Sequence, residues 1–390
     1  MRSSFAPVGV LLGALLSTSL LAQESDTTIK DYDVITAPAL PSDEIRSEVL
    51  IEITQVGDRL VAAGAHGNII WRDTADSEWQ QADVNSSILI TSLGFSNETI
   101  GWATGHHGVL LKTEDGGKTW RRKLDGFDLI KLEEIYYEQR ISDLKQRLES
   151  VDDSDEASEI EWLLEDLQFR LSNIEMAMKE GPSKPLLDVY AVDNNTIYVI
   201  GAYGTFLETN DGGKSWKVVA DKLDNPNGYH LNAIFGSNDT LYIAGESGMV
   251  FRSLDKGENW KRLESPYRGS LFGGHVDTQQ RLWIYGLRGN AFVSDDKGDS
   301  FTKIETGVGV NLSAGTTSEN ENQLIVGHSG VILKVKNDFS VEKITHPSGS
   351  VMTDIITLEN GEWLMTGRSG LLHWPAQSEK TATAEKQGVQ

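Results

Sequence analysis

The most regularly placed carboxylates in this 390-residue sequence sit inside a short repeated phrase. Thr113-Glu114-Asp115-Gly116-Gly117-Lys118-Thr119-Trp120 is followed by Thr209-Asn210-Asp211-Gly212-Gly213-Lys214-Ser215-Trp216. Weaker copies carry Asp255, Gly257 and Trp260, then Asp296, Gly298 and Phe301. Such a carboxylate could be a catalytic acid, a calcium ligand or an acceptor for turn amides. An acid followed at once by glycine and then by a hydroxyl or amide side chain suits the third use, because Asp folds back onto the amides of its own turn. The aromatic residue then packs over the hairpin. Asp115, Asp211, Asp255 and Asp296 are therefore expected to be structural clamps, and no catalytic residue is assigned. The sequence has no cysteine, which excludes disulfides, thiolate metal sites and cysteine nucleophiles.

A second set of reactive side chains lies between paired glycines. The copies are Gly64-Ala65-His66-Gly67, Gly105-His106-His107-Gly108, Gly201-Ala202-Tyr203-Gly204 and Gly245-Glu246-Ser247-Gly248. Gly286-Leu287-Arg288-Gly289, Gly327-His328-Ser329-Gly330 and Gly367-Arg368-Ser369-Gly370 complete the series. Each pair reads as a tight turn between two apolar strands, where glycine accepts the positive φ such hairpins need. The turns put His66, His106, His107, Tyr203, Glu246, Arg288, His328 and Arg368 on one face of the molecule. These residues belong to different repeats, so they suit polar contact with a partner better than convergence on a metal. No metal or cofactor is assigned.

The spacing of the turns sets the architecture. Their first glycines are 41, 96, 44, 41, 41 and 40 residues apart, one blade of a four-stranded propeller per interval. Seven copies predict an all-β, seven-bladed β-propeller. Leu231-Asn232-Ala233-Ile234-Phe235 exemplifies the innermost strand of a blade. Blade 7 runs out after Trp374-Pro375, and Tyr32-Asp33-Val34-Ile35-Thr36-Ala37-Pro38 shares the bulky, +3 aliphatic, +6 proline pattern of the outer strands. This N-terminal segment is expected to close the ring as the outer strand of blade 7.

The one long interval holds residues 125–184, where the apolar period changes to about 3.5. Phe127, Ile130, Tyr137, Ile141, Leu144 and Leu148 form one stripe, and Ile160, Leu164, Leu167, Leu171, Ile174 and Met178 a second. Two antiparallel helices between blades 2 and 3 are expected. Residues 127–180 carry sixteen Asp and Glu against six Lys and Arg, a net of −10. Tyr136 and Trp162 fall off the stripes and are candidate anchors for a protein partner.

The predicted domains are a signal peptide at 1–22, the closing strand with blades 1 and 2 at 23–124, the hairpin at 125–184, blades 3–7 at 185–375 and a disordered tail at 376–390. Arg2, the apolar run from Phe5 to Leu21 and the small residue Ala22 carry the export reading, with the periplasm as destination and secretion as the alternative. No other stretch is apolar enough to span a bilayer. The formal charge of −23 argues against nucleic acid, whose phosphates would be repelled.

An innermost strand, Gly-x-x-Gly and then Asp-Gly-Gly-Lys-Thr-Trp, repeated behind an export signal, resembles the lumenal photosystem II stability and assembly factors and their bacterial relatives. The boxes themselves are similar to the Asp-box, or BNR repeat, of sialidase-like propellers. The first resemblance implies a non-enzymatic assembly or accessory factor for a membrane or envelope complex. In a non-photosynthetic host the resemblance implies service to other membrane complexes, envelope transporters among them. The partner protein would be met through the hairpin and the glycine-turn face. The alternative is a sialidase-like glycoside hydrolase or carbohydrate-binding propeller. Against it, a Phe-Arg-Ile-Pro-like segment is missing from the sequence, and seven repeats exceed the usual six.

Overall fold

The computed structural model describes residues 33–375. Among these residues seven sheets follow one another along the chain. Their innermost strands are Leu50–Val56, Ile90–Phe95, Leu186–Ala191, Leu231–Ser237, Leu271–Val276, Leu312–Thr317 and Met352–Thr357. Each neighbours the next, and the last neighbours the first. The arrangement is propeller-like, a ring of sheets around an axial channel.

The second strand of each sheet explains why the ring holds. Tyr198-Val199-Ile200, Leu282-Trp283-Ile284-Tyr285 and Leu324-Ile325-Val326 are buried without alternation. A strand covered on both faces reads as a continuous apolar run. The side chains above and below join those of the flanking sheets in separate clusters, one per joint. Leu50, Ile53, Leu60 and Ile70 meet Leu358 and Leu364 where the first sheet abuts the seventh.

The ring does not close as the sequence pattern suggests. Tyr32 lies outside the described residues, and Asp33–Thr36 forms one helical turn, α1. Ile35, 2% exposed, plugs the joint between the first and second sheets beside Trp71, Val84 and Trp120. The chain then crosses to the seventh sheet, where the Leu371 amide donates to the Arg46 carbonyl at 2.9 Å. The seventh sheet has three strands among the described residues. It is fastened to the first by side chains. Asp354 accepts from the Ile53 amide at 2.9 Å, and the Thr353 hydroxyl donates to the Leu50 carbonyl at 3.0 Å.

The glycine turns also differ from expectation. The first glycine of each is extended; Gly64 has φ −174°. Glycine is needed there because a Cβ would come within 2.1 Å of the Val49 carbonyl oxygen. Positive φ falls on the third residue, as at His66 (57°) and Tyr203 (57°), and on the fourth.

The inserted residues form α2 (Gly126–Leu148) and α3 (Ser154–Glu180) as an antiparallel pair. Asp125 caps α2 through the Phe127 and Asp128 amides, and Asp153 caps α3 through those of Asp155 and Glu156. Ile141, Leu144, Ile160 and Leu164 form a cluster of their own, flanked by Leu148, Leu167 and Leu171. Leu129, in the first turn of α2, instead belongs to the core between the second and third sheets.

Candidate functional site

Three sets of residues merit attention: the hairpin with the turns beneath it, the box carboxylates, and the wall of the axial channel.

The base of the hairpin is bolted to the ring. Glu133, 4% exposed, receives both bonds of the Lys184 ammonium at 2.6 and 2.7 Å. Arg170 donates to the Pro226 carbonyl and to Asp166, each at 2.7 Å. Gly126 sits so close to the second-sheet turn that a Cβ on it would come within 2.5 Å of the His107 carbonyl oxygen. Two grooves open between the hairpin and the third sheet. One of about 470 Å³ is lined by Leu129, Ile130, Phe169, Ile174, Lys184 and Tyr203. Another of about 240 Å³ is lined by Tyr136, Arg140, Trp162, Arg170, Tyr203 and Asp221.

The two off-stripe aromatics therefore separate. Tyr136 packs down on the ring, where burial and then the Asp221 charge push its phenol well above the ordinary range. Trp162 stays 60% exposed. Of the turn residues, only Tyr203, 61% exposed and edge-on to His230 at 4.9 Å, lines the grooves. His106 and His107 stack at 6.5 Å beside the hairpin start, both half-buried, and burial lowers both imidazoles. His66, Arg288 and Arg368 are exposed, and Glu246 and His328 half-buried, on sheets whose turns line neither groove.

The four boxes share one geometry. Asp115 Oδ1 accepts from the Lys118 and Thr119 amides at 3.0 and 2.9 Å, and Oδ2 from the Thr119 hydroxyl at 2.8 Å. Asp211 repeats this with Lys214 and Ser215, and Asp255 and Asp296 do so with Asn259 and Ser300. The Gly117 and Gly257 carbonyls accept from the indoles of Trp120 and Trp260 at 3.0 and 2.9 Å. Gly213 lies under the Trp102 ring, against which Trp216 packs edge-on at 5.5 Å. Gly298 leaves no room for a Cβ beside Leu263, with Phe301 next to it. Hydrogen bonds from Ser300 and Ser294 bring the Asp296 carboxyl down to about 2. Fully engaged, low-pKa carboxylates have no proton to give at neutral pH.

The channel wall holds groups the motif search passed over. In all seven sheets the first two strands slip register one step after the start of the inner strand, a β-bulge in each. The residue re-aimed by each bulge lines a cavity of about 660 Å³ on the axis. These residues are Glu52, Ser92, Asp188, Ala233, Gly273, Ala314 and Asp354. Three carboxylates and a serine thus cover one arc, and small side chains cover the other. Asp188 accepts from Ser92 at 2.5 Å and from the Ile234 amide of the next sheet at 2.7 Å, matching the Asp354–Ile53 contact. Burial raises Asp188 to about 6 and Asp354 to about 7. Glu52 is pushed well up by burial and then by the charges of Asp354 and Asp188. Opposite them, burial lowers His275 to about 4 while its Nε2 meets Gln323 at 2.8 Å. A signal for this wall exists in the sequence: each of its residues lies 12 or 13 positions before the first glycine of a turn. Among the described residues no three His, Asp or Glu side chains are grouped as metal ligands would be.

Comparison with known proteins agrees with this architecture. The family described as photosynthesis system II assembly factor YCF48 matches residues 72–145 and 167–273, interrupted at the hairpin tip. The photosystem II assembly lipoprotein Ycf48 of Picosynechococcus sp. is 23% identical over 152 residues, 38% of this chain and 41% of the relative. The alignment thus spans less than half the length of that relative. A structure of YCF48 bound to D1 peptide superposes with TM-score 0.57 at 13% identity, covering 86% of this chain and 98% of that one. YCF48 from Cyanidioschyzon merolae gives 0.55 at 13% identity, covering 86% and 98%. The chain is a Ycf48-like BNR propeller. A streptogramin B lyase structure superposes comparably, with TM-score 0.58 at 13% identity over 84% of this chain and 93% of the lyase. The Ycf48-like fold is thus shared with an enzyme, and fold alone assigns no reaction. Among the described residues no helix is long and apolar enough to cross a membrane.

Proposed function

We propose that this Ycf48-like chain is an exported, non-enzymatic assembly or accessory factor. In this reading a seven-bladed ring, in the periplasm or secreted, holds a protein of a membrane or envelope complex on its hairpin side. One observation carries the reading. The hairpin is fixed to the ring at its base through Leu129, Glu133–Lys184 and Arg170–Pro226, while the apolar cluster of its outer half is built from hairpin residues alone. A ring that already buries its own sheets gains nothing from the outer half of such an arm; a rigid arm with Trp162 exposed suits capture of a partner. The D1 peptide bound by a YCF48 structure supports a protein partner here. The box carboxylates, each saturated by its own turn, support the absence of catalysis.

The test is to replace residues 138–169 with a short Gly-Ser linker. Tyr137 and Arg170 face each other across the hairpin, so the cut retains Leu129, Glu133 and the Arg170 anchor. The protein should fold with an unchanged sheet core and lose co-purification with its native partner. Retention of the partner would move the docking surface to the glycine-turn face.

The channel favours a second reading, a carbohydrate-binding or sialidase-like propeller, through Glu52, Asp188 and Asp354. Asp188 and Asp354 are each tied to two backbone amides, which supports a joining role instead. Turnover of an aryl glycoside that E52Q abolishes would establish the enzyme reading.

A further inference from the structure

The face of α3 turned away from α2, whose Trp162 and Phe169 also rim the two grooves, carries a feature that the seam with α2 does not use. Trp162, Phe169 and Met176 are 60%, 65% and 55% exposed, and they are spaced by seven residues. In an α-helix, positions seven apart differ by only about 20° in direction. The three therefore form one apolar stripe about 21 Å long. The seam residues Ile160, Leu164 and Ile174 of the same helix are buried. A single exposed aromatic is commonplace on a surface; three large apolar groups in heptad register supply one of the two knob rows of a coiled coil, with Glu165, Ser172 and Lys179 at the other.

We propose that this stripe docks a further helix, a basic amphipathic helix of the partner protein, which pairs with α3 on the side turned away from α2. The inference rests on the hairpin being the partner-binding arm and names the chemistry that arm recognises. Charge decides the occupant. The positions one before and four after each knob are Glu161, Asp166, Gln168, Asn173, Glu175 and Glu180: four acids, two amides and no Lys or Arg. These are the flanks that set pairing in a coiled coil, and lysines or arginines on the incoming helix complement them. A second copy of the hairpin would bring acids against acids, which disfavours self-association. Residues 376–390 offer one aliphatic side chain larger than alanine, Val389, and no heptad. The incoming helix needs about four turns, with apolar residues every third and fourth position facing the stripe.

The probe is a labelled 21-residue peptide with leucines in heptad register and lysines on the flanks, titrated against the full chain by fluorescence anisotropy. Two controls share its length: a scrambled peptide of identical composition, and the patterned peptide with Glu for Lys. The patterned lysine peptide should bind, losing about tenfold in affinity between 50 and 200 mM salt. The triple variant W162A/F169A/M176A should weaken it at least about tenfold with an unchanged melting temperature. Because truncation could disturb the hairpin, E161K/E175K supplies a second arm: it should shift preference toward the Glu peptide. Unchanged affinity in both variants, or equal binding of the scrambled peptide, overturns the proposal. A dimer of the parent chain that the triple variant abolishes, seen by sedimentation, overturns it in favour of self-pairing. Native partner lost on replacing residues 138–169 but kept by the triple variant sinks the stripe alone; a partner kept by both sinks the arm as well.

Discussion

Removing the Asp115 carboxylate separates a structural clamp from a binding site. In Asp115→Ala the Lys118 and Thr119 amides lose their acceptor at 3.0 and 2.9 Å, and the Thr113 and Thr119 hydroxyls lose theirs at 2.8 Å. The hydroxyls can turn to water; the amides are fixed by the turn. The residue is half-buried, so water replaces part of the loss, and about 1–2 kcal/mol of destabilisation is expected. In a protein of this size that lowers the melting temperature by roughly 1–3 °C. The isosteric Asp115→Asn keeps Oδ1 for the amides, and its Nδ2 can donate to the Thr119 hydroxyl, so it should cost about half as much. The effect has a pH signature. Burial alone would raise this carboxyl, but bonds from Thr119, Thr113 and Lys118 outweigh it and hold the group below the usual carboxylate range. Its stabilisation is therefore complete above the unfolded pKa and fades as pH falls through the lower folded value. Urea midpoints for parent and variants at pH 7 and pH 3 check this: the gap should be full at pH 7 and shrink at pH 3. A variant as stable as the parent at pH 7, yet unable to hold its partner, would refute the clamp and make Asp115 a site.

Other outcomes test other joints. Ile35→Ala should cost roughly 2–3 kcal/mol, since a fully buried side chain leaves a cavity between the first and second sheets; thermal melts will show it, and an unchanged melt would return α1 to decoration. Lys184→Met leaves the buried Glu133 carboxylate unpaired and should destabilise by about 3 kcal/mol; a double-mutant cycle with Glu133→Leu should recover most of that, and additive losses would deny the pairing. Glu52→Gln should raise the melting temperature at pH 8 and leave it unchanged at pH 4. A carboxyl whose folded pKa is raised contributes stability below its unfolded pKa and loses it as pH rises through the folded value; an equal shift at both pH values would contradict the crowding of Glu52 by Asp354 and Asp188.

The boxes and the hairpin were legible because each rests on local chemistry: an acid beside its own turn amides, a change of apolar period. The glycine turns were found by their spacing, but positive φ explains only the second glycine of a pair; the first is there because a Cβ cannot fit. The closing strand was misread because a bulky, aliphatic, proline pattern seven residues long fits one helical turn plugged by Ile35 as well as it fits an edge strand. The channel carboxylates escaped notice because a bulge cannot be seen in one strand. Leu186-Leu187-Asp188-Val189 shows one acid in an apolar run and nothing of where it points, and the shared register of seven sheets is what aims Asp188, Glu52 and Asp354 at one axis. Tyr136 and Trp162 looked equivalent from their seam offsets, but only the position of the third sheet puts one against Asp221 and leaves the other in solvent.

The side-chain fastening of the seventh sheet to the first has a further consequence. Thr353 to Leu50 repeats Thr91 to Leu186, and Asp354 to Ile53 repeats Asp188 to Ile234. The joint where the described chain starts and stops is thus chemically interchangeable with joints where it runs on unbroken. At this joint connectivity and architecture are decoupled. Arg46 and Leu371 already touch, so the two ends of the described chain pass each other at this joint; with the chain joined beyond Asp33 and Pro375, new termini could be opened in the exposed loop near Glu264. Such a circular permutant would retain every inter-sheet contact of the parent, with the hairpin carried at a different distance from both ends of the chain.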